Sequence, residues 1–345
     1  MLVSEVPALR EYWYPIAYDH EVTDAPRPFR IFGEDYVAWR PTPAGPVHAG
    51  VDECPHRSAR LSQGWVTDGC LVCPYHGWRF DGSGQCVEIP AADPDLPVPP
   101  RAHVDSILVE ERYGLVWVCV GMPREDIPDL PEAAPDSGYA LIHEMMATWR
   151  ASAPRIIDNA LDVSHVAWVH RNSVGSAANP RLSPFTVERD GLRILFSTSY
   201  VVAVNEAQKR NTGIQSDLTE RTTHAELVNP LVFRGVLEYH ENGLRHVLFK
   251  TATPVDDHTT LFCQFIARSD APSPEVWDAI AAVDRTVQEE DRVLLEGVNP
   301  NFPIETTTEL HTKSDRMTLE YRRVLAELAA ETTVAPDATW ARIRR

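Results

Sequence analysis

The chain has no apolar run long enough to span a bilayer, and its first residues, Met1-Leu2-Val3-Ser4-Glu5-Val6, show neither the basic head nor the apolar stretch of a secretory signal. A cytoplasmic protein with no membrane partner is expected. Positive charge is also in deficit. Lys and Arg number 32 against 50 Asp and Glu, a formal charge of −18 over 345 residues. Nucleic acids and anionic bilayers bind basic faces, so neither is an expected partner. Acidity of this kind serves solubility, and it would suit an electropositive docking protein, although Arg57, Arg60 and Arg79 stand together as a local basic group. No glycine-rich dinucleotide fingerprint is present, because Gly82-Ser83-Gly84 lacks both the third glycine and the helix that should follow it. The chain therefore has no flavin or nicotinamide site of its own. Cysteine is scarce at six residues, yet two of the six carry the most informative pattern in the sequence.

That pattern is Cys54-Pro55-His56 and Cys73-Pro74-Tyr75-His76, a Cys-x-His pair and a Cys-x2-His pair separated by sixteen residues. The spacing suits a Rieske [2Fe-2S] cluster, in which two thiolates hold one iron and two imidazoles hold the other, each loop giving one ligand of each kind. Neutral imidazoles in place of two thiolates make the cluster less negative and raise its potential, so it can accept and pass on single electrons. Two Cys and two His also complete a zinc tetrahedron, but zinc fingers usually open on a Cys-x2-4-Cys knuckle. Cys70 lies three residues before Cys73 and imitates such a knuckle; it reads as a bystander. With Cys86, Cys119 and Cys263 it is expected to pack as a small hydrophobe.

A proline-rich acidic stretch, Gly121–Pro135, cannot sustain helix or central strand and divides the chain. The expected domains are 1–135 and 136–345. The first reads as all-β, with short apolar runs such as Tyr36–Trp39, Cys70–Cys73 and Leu115–Val120 punctuated by turns. The second reads as α+β, with a helical segment around 152–170, strand-like runs at 192–202, 245–250 and 259–266, and helices at about 274–297 and 313–331. An all-β cluster domain followed by an α+β domain with an antiparallel sheet and flanking helices is the expected fold class.

A second constellation sits in the helical segment: Asp158-Asn159-Ala160-Leu161-Asp162-Val163-Ser164-His165, followed by His170. Two histidines and a carboxylate can hold a mononuclear non-haem iron and leave positions open for oxygen. On one ideal helix, His165 and His170 would point about 140° apart, so both can reach one metal only if the helix ends or bends. Two hydrogen-bonded core histidines would leave the same letters in the sequence. A third ligand is sought further along, where Ile280, Val283, Val287 and Leu294 form an apolar stripe into which position 290 or 291 must fall. A carboxylate there needs a cation. Periodicity leaves Glu290 and Asp291 equal, and a solvated acidic helix face stays open as well.

The flanks of the first motif, Cys54-Pro55-His56-Arg57 and Cys73-Pro74-Tyr75-His76-Gly77-Trp78, resemble the Rieske domains of bacterial oxygenases. Respiratory Rieske proteins carry an extra cysteine in each loop and a serine beside the last ligand; Ala59, Tyr75 and Trp78 stand there instead, which implies a lower potential and a reducing compartment. With the Asp-x2-His-x4-His pattern the chain resembles the Rieske non-haem iron oxygenases along most of its length, including Tyr12-Trp13-Tyr14-Pro15 and Glu111–Trp117.

The resemblance implies that His165 and His170 bind iron, and that the third ligand is Asp291, matched through Glu290-Asp291 and Leu295-Glu296. It further implies that Asp162 links His76 of one subunit to His165 of the next within a homotrimer, and that Asn159 lies near the iron. A separate NAD(P)H-dependent reductase, with or without a ferredoxin, would supply electrons. The chain's length resembles that of the short demethylating monooxygenases, so O2-dependent O- or N-demethylation of a small organic substrate is the leading expectation. Hydroxylation of a ring or aliphatic position in a natural product or steroid is the alternative. A pure electron carrier would need only residues 1–120. The substrate pocket should be lined by strands of roughly 190–265.

Overall fold

The computed structural model describes residues 1–331. Residues 332–345, the end of the expected second domain, lie outside the described residues. The chain forms two compact units: Arg10–Ile127, and Met1–Leu9 together with Pro128–Glu331.

The first unit is built from β1 (Tyr14–Tyr18), β2 (Arg27–Ile31), β3 (Glu34–Trp39), β4 (His48–Val51) and β5 (Trp65–Thr67). It continues with β6 (Cys70–Val72), β7 (Arg79–Phe80), β8 (Cys86–Glu88), β9 (Ser106–Arg112) and β10 (Leu115–Cys119). All pairings are antiparallel, in a six-stranded sheet of order β1-β10-β9-β4-β3-β2 and a four-stranded sheet β5-β6-β7-β8. Strand β10 is buried at every position, with Trp117 fully enclosed, which suits its continuous apolar sequence.

The second unit carries β11 (Ala140–Trp149), α1 (Ala153–Leu161), α2 (Val166–Val169), β12 (Val187–Asp190), β13 (Arg193–Ala203) and α3 (Glu206–Thr212). Then come β14 (Leu218–Asn229), β15 (Val232–Tyr239), β16 (Arg245–Pro254), β17 (Thr260–Arg268), α4 (Trp277–Leu295) and α5 (Arg316–Glu331). Its seven strands form one antiparallel sheet, order β11-β17-β16-β15-β14-β13-β12. In β13 the buried Ile194, Phe196, Thr198, Tyr200 and Val202 alternate with more accessible neighbours, the period of a strand with one covered face. The architecture is the expected one: an all-β domain, then an antiparallel sheet with helices.

The expected boundary at 135 falls inside the second unit. Glu132 is ion-paired to Arg234 on β15, and the backbone and hydroxyl of Ser4 donate to Asp257 at 2.9 Å each, so both segments are tied to that unit. The helix expected around 152–170 is interrupted: α1 stops at Leu161, and Asp162 is extended (φ −87°, ψ 103°). Helix α3 was not anticipated, although its sequence holds both end signals. Asn205 accepts from the backbone N–H of Ala207 and Gln208, and Gly213 takes the left-handed conformation (φ 74°) that closes it. On α4 the buried stripe runs through Ile280, Gln288, Asp291 and Leu295, whereas Leu294 is exposed. The steps from 284 to 288, 291 and 295 keep one face, and 294 lies about 100° away from 295.

Candidate metal centres and cavity

In the first unit, Cys54 follows β4 and Cys73 follows β6, and both cysteines are buried in a core with Trp39, Leu61, Leu71 and Phe80. The two loops share one hydrogen-bond pattern. Cys54 N–H donates to Ala59 O at 2.8 Å and Ser58 N–H to Cys54 O at 2.9 Å; Cys73 N–H donates to Trp78 O at 2.9 Å and Gly77 N–H to Cys73 O at 3.0 Å. The fourth residue after each cysteine has positive φ, 53° at Ser58 and 72° at Gly77. The two loops thus share one backbone turn. The His56 and His76 rings meet at 4.6 Å between centroids, His56 stacks on Trp78, and both histidines are exposed. Burial, with the Cys73 thiol alongside, pushes the Cys54 thiol up to about 11, so loading a cluster would have to displace protons. Two buried thiols and two exposed, adjoining imidazoles on matching loops fit a Rieske cluster.

Of the nearby arginines, Arg60 is paired with Asp35 at 2.8 Å and Asp52 at 3.3 Å, and Arg79 with Asp68 at 3.0 Å and Glu88 at 3.4 Å. The basic group read from the sequence is therefore largely neutralised, and only Arg57 has no ion pair among the described residues. Cys86, Cys119 and Cys263 are buried and Cys70 is half-buried.

In the second unit, His165 precedes the single turn α2 and His170 ends it, with its backbone leaving the helical region (φ −93°, ψ 23°). The turn between them is helical throughout, with Val169 N–H donating to His165 O at 2.9 Å and His170 N–H to Val166 O at 3.3 Å, and the two ring centroids nevertheless lie 5.2 Å apart. Asp291 meets both: its Oδ1 is 3.4 Å from His165 Nε2 and 3.3 Å from His170 Nε2. That oxygen is buried, and among the described residues no hydrogen bond satisfies it. Three lone-pair donors facing one point, two nitrogen and one oxygen, fit a mononuclear iron. Burial alone would raise the Asp291 carboxyl, but the His165 and His170 rings hold it below the usual carboxylate range. Burial likewise opposes charge on His165, yet the adjacent Asp291 carboxylate raises it, while burial dominates at His170 and lowers it.

The choice that periodicity left open is expressed in space. Glu290 does not join the three; its Oε2 lies 2.9 Å from His170 Nδ1 and accepts from Ser173 Oγ at 2.6 Å. An outer carboxylate on the second ring nitrogen fixes the tautomer and orientation of a metal-binding imidazole. Sequence reading missed this contact, although the adjacent acid on a half-turned face was the available signal. Asp162 Oδ1 accepts from the Ser164 backbone at 2.7 Å and hydroxyl at 2.6 Å, and its Oδ2 lies 3.9 Å from His165 Nδ1, which has no hydrogen bond of its own. Asn159 does not reach the cavity that the three donors border. It lines a separate cleft with Asp158 and Glu309; Asp162 borders both, and Ala160 and Val163 line the cavity.

The cavity beside His165, His170 and Asp291 is walled by the inner face of the sheet, through residues such as Tyr200, Arg221, Phe233, His246 and Lys250, and by Asp284 and Gln288 of α4. The strands expected to line it do so, with helical residues added. Lys250 donates to Gln288 at 3.2 Å. His246 is held neutral, its pKa pushed down to about 4 by burial despite Asp284 at 3.4 Å. No helix among the described residues is long and apolar enough to cross a membrane.

Residues 12–107 match the Rieske [2Fe-2S] domain, and residues 149–331 match the vanillate O-demethylase oxygenase C-terminal domain. The methylxanthine N1-demethylase of Pseudomonas putida is 29% identical over 340 residues, covering 93% of this chain and 89% of that protein. A solved structure of the Pseudomonas putida CBB5 enzyme with caffeine superposes with a TM-score of 0.80 at 28% identity, covering 95% of this chain and 93% of the other. Dicamba monooxygenase bound to dicamba shares the fold, with a TM-score of 0.79 at 23% identity over 95% of this chain and 99% of its own. The chain belongs to the Rieske oxygenases whose catalytic half is the vanillate O-demethylase oxygenase C-terminal domain, and it is a terminal oxygenase component, an oxidoreductase using a Rieske [2Fe-2S] cluster and mononuclear iron.

Proposed function

We propose that this oxygenase removes an O- or N-methyl group from a small organic substrate. The observation that carries the reading is the convergence of His165, His170 and Asp291 on the wall of a buried cavity, in a chain similar almost end to end to an N-demethylase. Cys54 and Cys73 would hold one iron of the cluster, His56 and His76 the other, and His165, His170 and Asp291 the mononuclear iron. When bound, the cluster relays single electrons and the mononuclear iron activates O2 for insertion into a C–H bond.

The remaining work belongs to the protein. Glu290 orients His170 through Nδ1. Asp162 keeps Oδ1 on Ser164 and leaves Oδ2 beside His165, which suits it to connect His165 to His76 of a neighbouring subunit in a homotrimer. The sheet and α4 enclose the cavity and limit water around the reacting methyl group. Asn159, in the cleft next to Asp162, would act on that connection rather than on substrate. Hydroxylating a methyl carbon attached to oxygen or nitrogen gives a hemiacetal-like product that loses formaldehyde. Overall, O2, two electrons and two protons yield demethylated product, formaldehyde and water, with the electrons drawn from NAD(P)H through a separate reductase, with or without a ferredoxin.

The test is turnover of methoxy- and N-methyl-bearing aromatic compounds with a surrogate reductase. One formaldehyde per demethylated product is expected. Substrates that are consumed with O2 but retain the methyl carbon as a stable alcohol, or that gain a ring hydroxyl, would replace demethylation with hydroxylation.

A further inference from the structure

Among the described residues, the cavity contains a buried cation with no carboxylate paired to it. Arg221 on β14 stands directly between Tyr200 on β13 and Tyr239 on β15 in the strand register, so the three side chains form one row across the sheet face that walls the cavity. Arg221 is 6% exposed. Its guanidinium lies 5.0 Å from the Tyr200 ring centroid and 5.7 Å from that of Tyr239. It donates to the Tyr200 hydroxyl and, at 3.4 Å, to the Tyr239 hydroxyl, while its Nε has no partner.

Other well-buried arginines of the same unit are neutralised. Arg155 meets Asp158 at 3.3 Å, Arg268 meets Asp270 and Arg322 meets Glu309 at 2.5 Å each, and Arg234 meets Glu132. No carboxylate pairs with Arg221 among the described residues. The three acids that border the cavity are engaged elsewhere: Asp291 faces His165 and His170, Asp284 faces His246, and Asp162 accepts from Ser164. Lys250, the other buried cation here, has Gln288 as an acceptor.

A buried charge without a partner is among the costliest arrangements in a protein interior, and it is relieved when an anion arrives. Guanidinium presents a planar fork that matches a carboxylate through two parallel N–H donors. Two tyrosines fix this fork from either side and leave most of its five donors free.

Resting on the demethylase reading for the location of the substrate, we propose that Arg221 anchors an anionic group, of carboxylate type, on the substrate, and so selects anionic over neutral substrates. Arg221 is thus a specificity-determining residue. A neutral ligand of the same shape leaves the guanidinium buried and unpaired, and a site built to bond a polar group discriminates strongly against an analogue that lacks it.

The test uses the protein loaded with both metal centres and two isosteric probes, benzoate and benzamide, by calorimetric titration at fixed ionic strength. Wild type should bind benzoate at least roughly tenfold more tightly. Arg221→Met should abolish that preference while leaving benzamide affinity within about twofold. Arg221→Lys keeps the charge without the fork and should retain a reduced preference; it decides the matter if the methionine variant does not fold. Benzoate bound no more tightly than benzamide by wild type, or a preference that survives in Arg221→Met, overturns the proposal. Neither probe carries a methyl group, so the result is independent of demethylation. Formaldehyde released from a neutral methyl ether by a protein without the benzoate preference would sink this inference alone, and the preference without formaldehyde from any substrate would sink only the demethylase reading.

Discussion

The two metal-binding regions are built on opposite plans. The four residues proposed for the cluster fall within Cys54–His76, on two loops with the same hydrogen-bond pattern, and their histidines are exposed. The three residues of the other site lie at 165, 170 and 291, brought together only when α4 packs against the sheet and α2, and Asp291 is 2% exposed. The first site is a local device that a short segment nearly specifies by itself. The second is a product of tertiary packing, in which burial removes water and leaves three donors facing one another. An exposed, local site suits exchange of electrons with another protein, whereas a buried, assembled site suits control over oxygen and a small substrate.

Separate construction should make the two centres separately removable. Asp291→Ala takes away one of three donors at the buried site and none at the loops. Iron should fall from about three to about two per chain, with sulfide unchanged. Turnover should fall by more than roughly 100-fold, the range already reached by outer-shell changes, and the visible spectrum of the cluster should persist. The check is metal and sulfide analysis beside the spectrum. Normal iron in Asp291→Ala would return the third ligand to Glu290 or elsewhere, and loss of the cluster spectrum would mean that the centres are not built independently.

The same contrast explains what the sequence revealed. The four residues proposed to hold the cluster were legible as a candidate set because each pair is separated by one or two residues, and such spacing survives translation into a loop. His165 and His170 were legible as a candidate pair, but their approach across a helical turn, with ring centroids 5.2 Å apart, is a matter of side-chain placement in the packed unit that spacing does not reveal. Asp291 and Glu290 could not be separated by periodicity, because only the rotation of α4 against the sheet sends one to both Nε2 atoms and the other to His170 Nδ1. The domain boundary was displaced for a similar reason: the side chains of Glu132 and Asp257 find their partners across long sequence separations. Arg221 was invisible, since a single arginine in a strand reads as exposed until its row of neighbours is known.

A smaller effect probes how the two regions communicate. Asp162→Asn keeps the acceptor for Ser164 but removes the charge beside His165. Both metal sites should stay loaded, while electron transfer from reduced cluster to the mononuclear site should slow by about 10–100-fold, the usual scale of an outer-shell change. Stopped-flow oxidation of the reduced cluster in the presence of substrate reads this directly. An unchanged rate would remove Asp162 from the proposed electron path.

The smallest effect sharpens the likeness between the cluster loops themselves. Both need a left-handed residue four places after the cysteine, but one uses Gly77 and the other Ser58. A side chain in that conformation costs about 1–2 kcal/mol. Gly77→Ala would incur this cost and bring its Cβ to 3.3 Å from Pro90 Cγ, so it should destabilise the first unit by about 1–2 kcal/mol. Ser58→Gly would relieve the same strain but give up the hydroxyl bond to Glu53 at 2.6 Å and gain freedom in the unfolded chain, so the net change should stay within about 0.5 kcal/mol. Urea unfolding followed by bleaching of the cluster reports both. The asymmetry is the informative result, because the loops make equal demands on the backbone and differ only in how the demand is met. If Gly77→Ala unfolds at the wild-type midpoint, the second loop tolerates a side chain at positive φ as Ser58 already does, and the glycine serves something other than the turn.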